Sequence, residues 1–128
     1  MKYHDIVGQV QHRARVADMG DAVKALRVVL QTLGTRLDPG ERQHLAAQLP
    51  EEIAYYLKQV RTTERYDLQT FYKVISAGED TDLPKAMHHA KAVTSVLREA
   101  VTEGEARDIA EQLPNEFSEL FEYESESA

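Results

Sequence analysis

The sequence predicts an all-α fold of about eight helices, arranged as two tandem four-helix repeats packed about a pseudo-two-fold axis. Three observations predict it. Apolar residues recur at i, i+3, i+4 and i+7 in one segment after another, the spacing of a helix with one apolar face. No segment shows the alternation of a half-buried strand. One phrase also occurs twice. Gly40-Glu41 leads, after six residues, into Gln48-Leu49-Pro50-Glu51-Glu52, and Gly104-Glu105 leads, after the same six, into Gln112-Leu113-Pro114-Asn115-Glu116. The offset is 64, half of the 128-residue chain.

Taken in order, Tyr3, Ile6, Val7 and Val10 place the first helix over residues 3–14. Asp18 caps the second, with Asp21 near the positive end of its dipole. Ala22, Leu26, Val29, Leu30, Leu33 and Leu37 make one stripe over residues 19–36. Ala25 and Val28 widen that stripe, so the helix is expected to be buried on more than one side. Gly34 permits close approach near its end. Asp38-Pro39-Gly40-Glu41 reads as a capping box. Asp38 accepts from the N–H of Glu41, Pro39 takes the first helical position, and Glu41 reaches back to the N–H of Asp38. Thr102 and Glu105 copy this arrangement in the second half. The third helix covers residues 39–48. Pro50 disfavours helical geometry at Leu49 and opens the next helix, so Gln-Leu-Pro is a corner with Leu49 as a plug. Leu113 and Pro114 form the matching corner. Ile53, Tyr56, Leu57 and Val60 are the stripe of the fourth helix.

In the second half, Asp67 caps a helix carrying Leu68, Phe71, Tyr72, Val74 and Ile75 and ending near Gly78. The sixth stripe, Ala86, Ala90, Val93, Leu97 and Val101, repeats Ala22, Leu26, Val29, Leu33 and Leu37 at the offset of 64. The seventh helix covers residues 103–112 and carries Ile109. The eighth carries Phe117, Leu120 and Phe121. Over residues 38–57 against 102–121, seven of twenty positions are identical, which makes tandem duplication the best account. The repeats are expected at residues 1–62 and 63–122, with an acidic, fraying tail at 123–128. Four short helices cannot bury all their apolar faces alone, so the repeats are expected to share one compact domain.

Bulk properties remove several function classes. There is no cysteine, which excludes disulfides and thiolate chemistry. A net charge of −7 argues against a nucleic-acid backbone as main ligand. That charge is uneven: residues 1–64 carry nine Lys/Arg and eight Asp/Glu, net +1, while residues 65–128 carry six and fourteen, net −8. No apolar run approaches the ~18 residues of a transmembrane helix, and Met1-Lys2-Tyr3-His4-Asp5 has no signal-peptide core behind it. A cytoplasmic protein is the simplest reading.

The stretch from Val93 to Phe121, with Leu97-Arg98-Glu99-Ala100-Val101, Gly104-Glu105, Ile109, Gln112-Leu113-Pro114 and Leu120-Phe121, resembles the signature half of the bacterial DUF2267 family, a domain of unknown function. The first half is similar through Val29, Leu30, Leu33, Arg36-Leu37, Gly40-Glu41 and Gln48-Leu49-Pro50. It departs in having Pro39 where the second half has Glu103. The resemblance covers essentially the whole chain. It implies a small helical bacterial protein and brings no catalytic residues with it.

The side chains offer little chemistry on their own. Glu41-x-x-His44 has the spacing of a carboxylate-bridged metal site, but the second half has Glu105-x-x-Asp108, and Glu41 already has a cap to make. No metal or cofactor site is therefore expected. His88 and His89 point about 100° apart on one helix and cannot easily clamp one ion. By repeat register His89 replaces Ala25 and is expected at a helix interface, and His88 replaces Lys24 and is expected in solvent. Arg13 and Arg15, with Lys24 and Arg27, form a basic face. There is no Gly-x-Ser-x-Gly elbow and no Gly-rich phosphate loop. Gln48 and Gln112 stand where each corner leaves unpaired backbone groups, and a Gln amide can satisfy such groups. They, with Tyr55 off its helix stripe and His89, are the candidate contacts for a ligand or partner. The expected function is a non-enzymatic module that binds another protein or itself. The alternative is a small-molecule- or metal-binding regulatory or enzymatic domain with a cleft between the repeats.

Overall fold

The computed structural model describes residues 1–123. Among them are seven α-helices, α1 (Tyr3–Ala14), α2 (Met19–Arg36), α3 (Pro39–Ala47), α4 (Glu51–Lys58), α5 (Leu68–Glu79), α6 (Leu83–Ala100) and α7 (Glu103–Gln112), and a 3₁₀ helix, Asn115–Phe121. No strand occurs among the described residues. None of these helices is long and apolar enough to cross a membrane.

The two longest helices, α2 and α6, have 18 residues each and form the centre. They pack on each other; α1 lies against both, and so does α5. This position explains the wide apolar stripe of α2, which buries Ala25 and Val28 as well as Leu26, Val29, Leu30 and Leu33. α4 packs on α2 and α3, the 3₁₀ helix packs on α6, and α3 meets α7. Four helix starts are closed by the cap residue's side chain, Thr102 at α7 and an Asp at the other three. Asp18 accepts from the N–H of Asp21, Asp67 from Thr70 and Asp82 from Lys85, at 2.8–2.9 Å. Two glycines let helices approach closely. A Cβ on Gly34 would lie 2.8 Å from Leu57 Cδ2, and one on Gly78 would lie 2.8 Å from Val28 Cγ1.

The corners turn on their prolines. Leu49 and Leu113 are buried, and Pro50 and Pro114 occupy the positions before α4 and the 3₁₀ helix. The last element is tighter than a 3.6-residue helix. Its fully buried side chains, Phe117 and Leu120, are three apart, the spacing at which a 3₁₀ helix stacks side chains on one face. Val74 departs from the sequence reading: it faces outward on α5. His88 departs too. It is half-buried, and its Nε2 lies 2.9 Å from the carbonyl oxygen of Arg13, because α1 covers that side of α6. Tyr123, the first residue of the expected tail, lies beside His88 with ring centres 6.1 Å apart and the rings tilted by 39°, and the remainder of the tail lies outside the described residues.

Residues 59–67, between α4 and α5, have no regular structure but are bonded at several points. Glu64 N–H donates to Thr35 O at 2.8 Å, and Tyr66 O–H donates to Thr32 O at 2.6 Å. Arg36 Nε donates to Tyr66 O at 3.1 Å, with its guanidinium 5.5 Å from the Phe117 ring centre. Buried Arg42 directs Nη1 at Gly34 O, Leu37 O, Thr62 O and Thr63 Oγ1, at 2.8–3.2 Å. It thus closes the end of α2, whose last carbonyls have no partner within the helix.

Candidate functional site

An open groove of about 1390 Å³ runs between the end of α1, α6, α7 and the 3₁₀ helix. Its walls carry Arg13, Arg15, Arg98 and Arg107, against two acids, Glu99 and Glu103. Glu99 is already occupied. Arg13 Nη2 donates to its Oε1 at 2.9 Å, and Nη1 lies 2.7 Å from its Oε2. This forked pair holds the Glu99 carboxyl below its ordinary range and raises the Arg13 guanidinium. Arg13 Nη1 also donates to Ser95 Oγ at 3.1 Å, which ties α1 to α6. Among the described residues Arg98 donates only to a backbone oxygen, Phe121 O at 3.1 Å, and it sits over the Phe121 ring at 5.9 Å. Arg107 is exposed and has no carboxylate partner among the described residues. Among the described residues, Arg98 and Arg107 thus present guanidinium N–H groups to the groove that no carboxylate engages.

The candidate contacts from sequence lie elsewhere. Gln48 and Gln112 bond across the two halves of the chain. Gln48 Oε1 accepts the N–H of Thr102 at 2.8 Å, and Gln112 Oε1 accepts the N–H of Asp38 at 2.7 Å. Each corner glutamine thus closes the helix that starts in the other half, not its own corner. This overturns the capping boxes. The N–H that Glu41 or Glu105 was expected to bind is already taken. Asp38 makes no side-chain cap bond, whereas Thr102 Oγ1 accepts from Glu105 N–H at 3.1 Å.

Released from capping, the Glu41 and Glu105 carboxyls turn toward each other where α3 meets α7. Donor atoms of Glu41, His44 and Glu105 all lie within 4.8 Å of one another. Burial pushes the Glu105 carboxyl up to about 8, helped by its hydrogen bond to Glu41 and by the charges of Glu41 and Asp108. Both Glu41 Oε2 and Glu105 Oε2 are buried and without a hydrogen-bond partner.

Tyr55 is 57% exposed and lies beside Tyr56, with ring centres 6.4 Å apart. His89 Nδ1 lies 2.8 Å from Oε1 of buried Glu79, joining α6 to α5. None of Gln48, Gln112, Tyr55 and His89 lines the groove. Sequence reading found Arg13 and Arg15 as a basic pair but missed Arg98 and Arg107. Both sit singly in the acidic half, and no local pattern joins them.

Helix order, buried centre and arginine-lined groove define a small all-α domain with no strand among its described residues. The family model described as "Uncharacterized conserved protein (DUF2267)" matches residues 3–120, and the chain belongs to that family. No curated protein matches it.

Proposed function

We propose that this protein is a non-enzymatic interaction module whose groove receives an acidic segment of another protein. The observation that carries this reading is that Arg98 and Arg107 line one groove with no carboxylate partner among the described residues, in a chain of net charge −7. Clustered Arg side chains read carboxylates or phosphates through paired N–H donors. At about 1390 Å³ the groove exceeds the roughly 300–1,000 Å³ usual for small molecules, which favours an extended chain. A cytoplasmic setting and tandem-repeat descent of the halves belong to the same reading. The recurrence of elements at the 64-residue offset supports the descent.

The test is fluorescence anisotropy with a labelled Glu/Asp-rich peptide, beside a Lys-rich control and a salt series. The acidic peptide alone should bind, more weakly as salt rises. Arg98→Glu with Arg107→Glu should abolish binding without changing the helical circular-dichroism signal. Equal binding of both peptides, or an unaffected double variant, would refute the reading.

A further inference from the structure

We propose that the junction of α3 and α7 is a site for a first-row divalent metal ion, held by Glu41 and His44 from one helix and Glu105 from the other. Among the described residues this is the one cluster of three such donors. The set is mixed, one imidazole and two carboxylates. Imidazole suits zinc, iron or nickel better than magnesium or calcium, while carboxylates accept either kind, so the set points to a transition metal or zinc.

The acids alone would not make a site. Glu105 is 5% exposed, and its Oε2 is buried with no hydrogen-bond partner; Glu41 Oε2 is in the same condition. Buried carboxylate oxygens are normally paired, hydrogen-bonded or coordinated to a metal. These two face each other and an imidazole, and among the described residues neither is in an ion pair with a Lys or Arg. The Glu79–His89 pair also leaves a buried oxygen, Glu79 Oε2, but it supplies only two donors.

The surroundings hold the donors in place. Gln48 and Gln112 fasten the first turns of α7 and α3, so neither glutamate is needed there as a cap. Each glutamate lies in the first turn of its helix, where the dipole works against the burial that disfavours the ionised carboxylate a metal requires. His44 lies one turn beyond Glu41, on the same face and toward solvent, which leaves the ion a path in. Asp108 stands one turn beyond Glu105 in the same way, and its charge reaches the pair. Donor-to-metal distances of about 2.0–2.2 Å require the three atoms to draw together from their 4.8 Å envelope by roughly an ångström, within reach of side-chain rotation.

The experiment uses the full chain stripped with a chelator and then titrated calorimetrically with Zn²⁺, Co²⁺, Mg²⁺ and Ca²⁺. One Zn²⁺ or Co²⁺ per chain is expected, with a raised melting temperature and weaker binding of Mg²⁺ and Ca²⁺. Glu105→Gln and His44→Ala should each weaken Zn²⁺ binding by about tenfold or more. Co²⁺ absorption should show the loss of a nitrogen ligand in the His44 variant. His44 is exposed and Gln is isosteric with Glu, so both variants keep the fold, which circular dichroism verifies. A control carrying His4→Ala and His12→Ala should bind as the parent does. Absence of stoichiometric binding would overturn the proposal. So would binding that survives both site variants, or binding lost with the control.

Discussion

Gln48 closes a helix that begins 54 residues further along the chain: its Oε1 accepts the N–H of Thr102 at 2.8 Å. Gln112 returns the arrangement to Asp38 at 2.7 Å. At Asp38 the tertiary bond stands where no side-chain cap forms, and at Thr102 it adds to the local one. Gln48→Ala and Gln112→Ala should therefore each cost about 1 kcal/mol, read as a lower midpoint in urea. Asp38→Ala, which removes no side-chain cap bond, should cost less than either.

The facing carboxyls set a pH dependence. Glu105 is raised from its ordinary 4.5 to about 8 in the folded chain, so its neutral form is the one that suits the fold. Stability from this group is full below about pH 4.5 and declines as pH rises toward about 8. Glu105→Gln fixes the neutral form. In chelator-treated protein its melting temperature should match the parent's in acid and exceed it increasingly through that window. Parallel melting curves across the range would contradict the arrangement.

Arg42 is buried, and one of its nitrogens faces four oxygens. Arg42→Ala leaves the Gly34 and Leu37 carbonyls without that donor. The expected loss is about 3 kcal/mol by urea unfolding. Arg42→Lys should recover part of it, because an ammonium can reach some but not all of the same oxygens.

Glycine positions should give opposite signs. A Cβ on Gly8, on the exposed face of α1, meets nothing within 4 Å. Gly8→Ala should stabilise by on the order of 1 kcal/mol through helix propensity. A Cβ on Gly78 would sit 2.8 Å from Val28 Cγ1, and a buried β-branched neighbour cannot rotate away cheaply. Gly78→Ala should destabilise by about 1–2 kcal/mol. Calorimetric melting of the two variants beside the parent checks both.

The helices were legible because their information is local. Period 3.6 marks the buried stripes of α2 and α6, and Asp18 and Asp67 announce the starts they close. The junction was not legible for the converse reason. Asp38-Pro39-Gly40-Glu41 is a good capping box by every local rule, and no local rule reveals that Gln112 arrives first, from 74 residues away. The placing of Glu41 follows from that displacement, and that of Glu105 from its counterpart, Gln48 at Thr102. The groove is equally non-local, since Arg13 meets Glu99 across 86 residues. His88 was misplaced because repeat register assigned it the environment of Lys24, while the α1–α6 contact gives it Arg13 O.

The bonded segment at residues 59–67 has a mechanical consequence. By composition it looks like a tether on which two halves could swing. Thr62, Thr63, Glu64 and Tyr66 are instead laced to the far end of α2, through Arg42, Thr35, Thr32 and Arg36. Any motion that parted the halves at this point would have to unlace the end of the central helix first. The segment works as a splice, and strain applied at one end of the molecule passes through it to the other without being absorbed by a hinge.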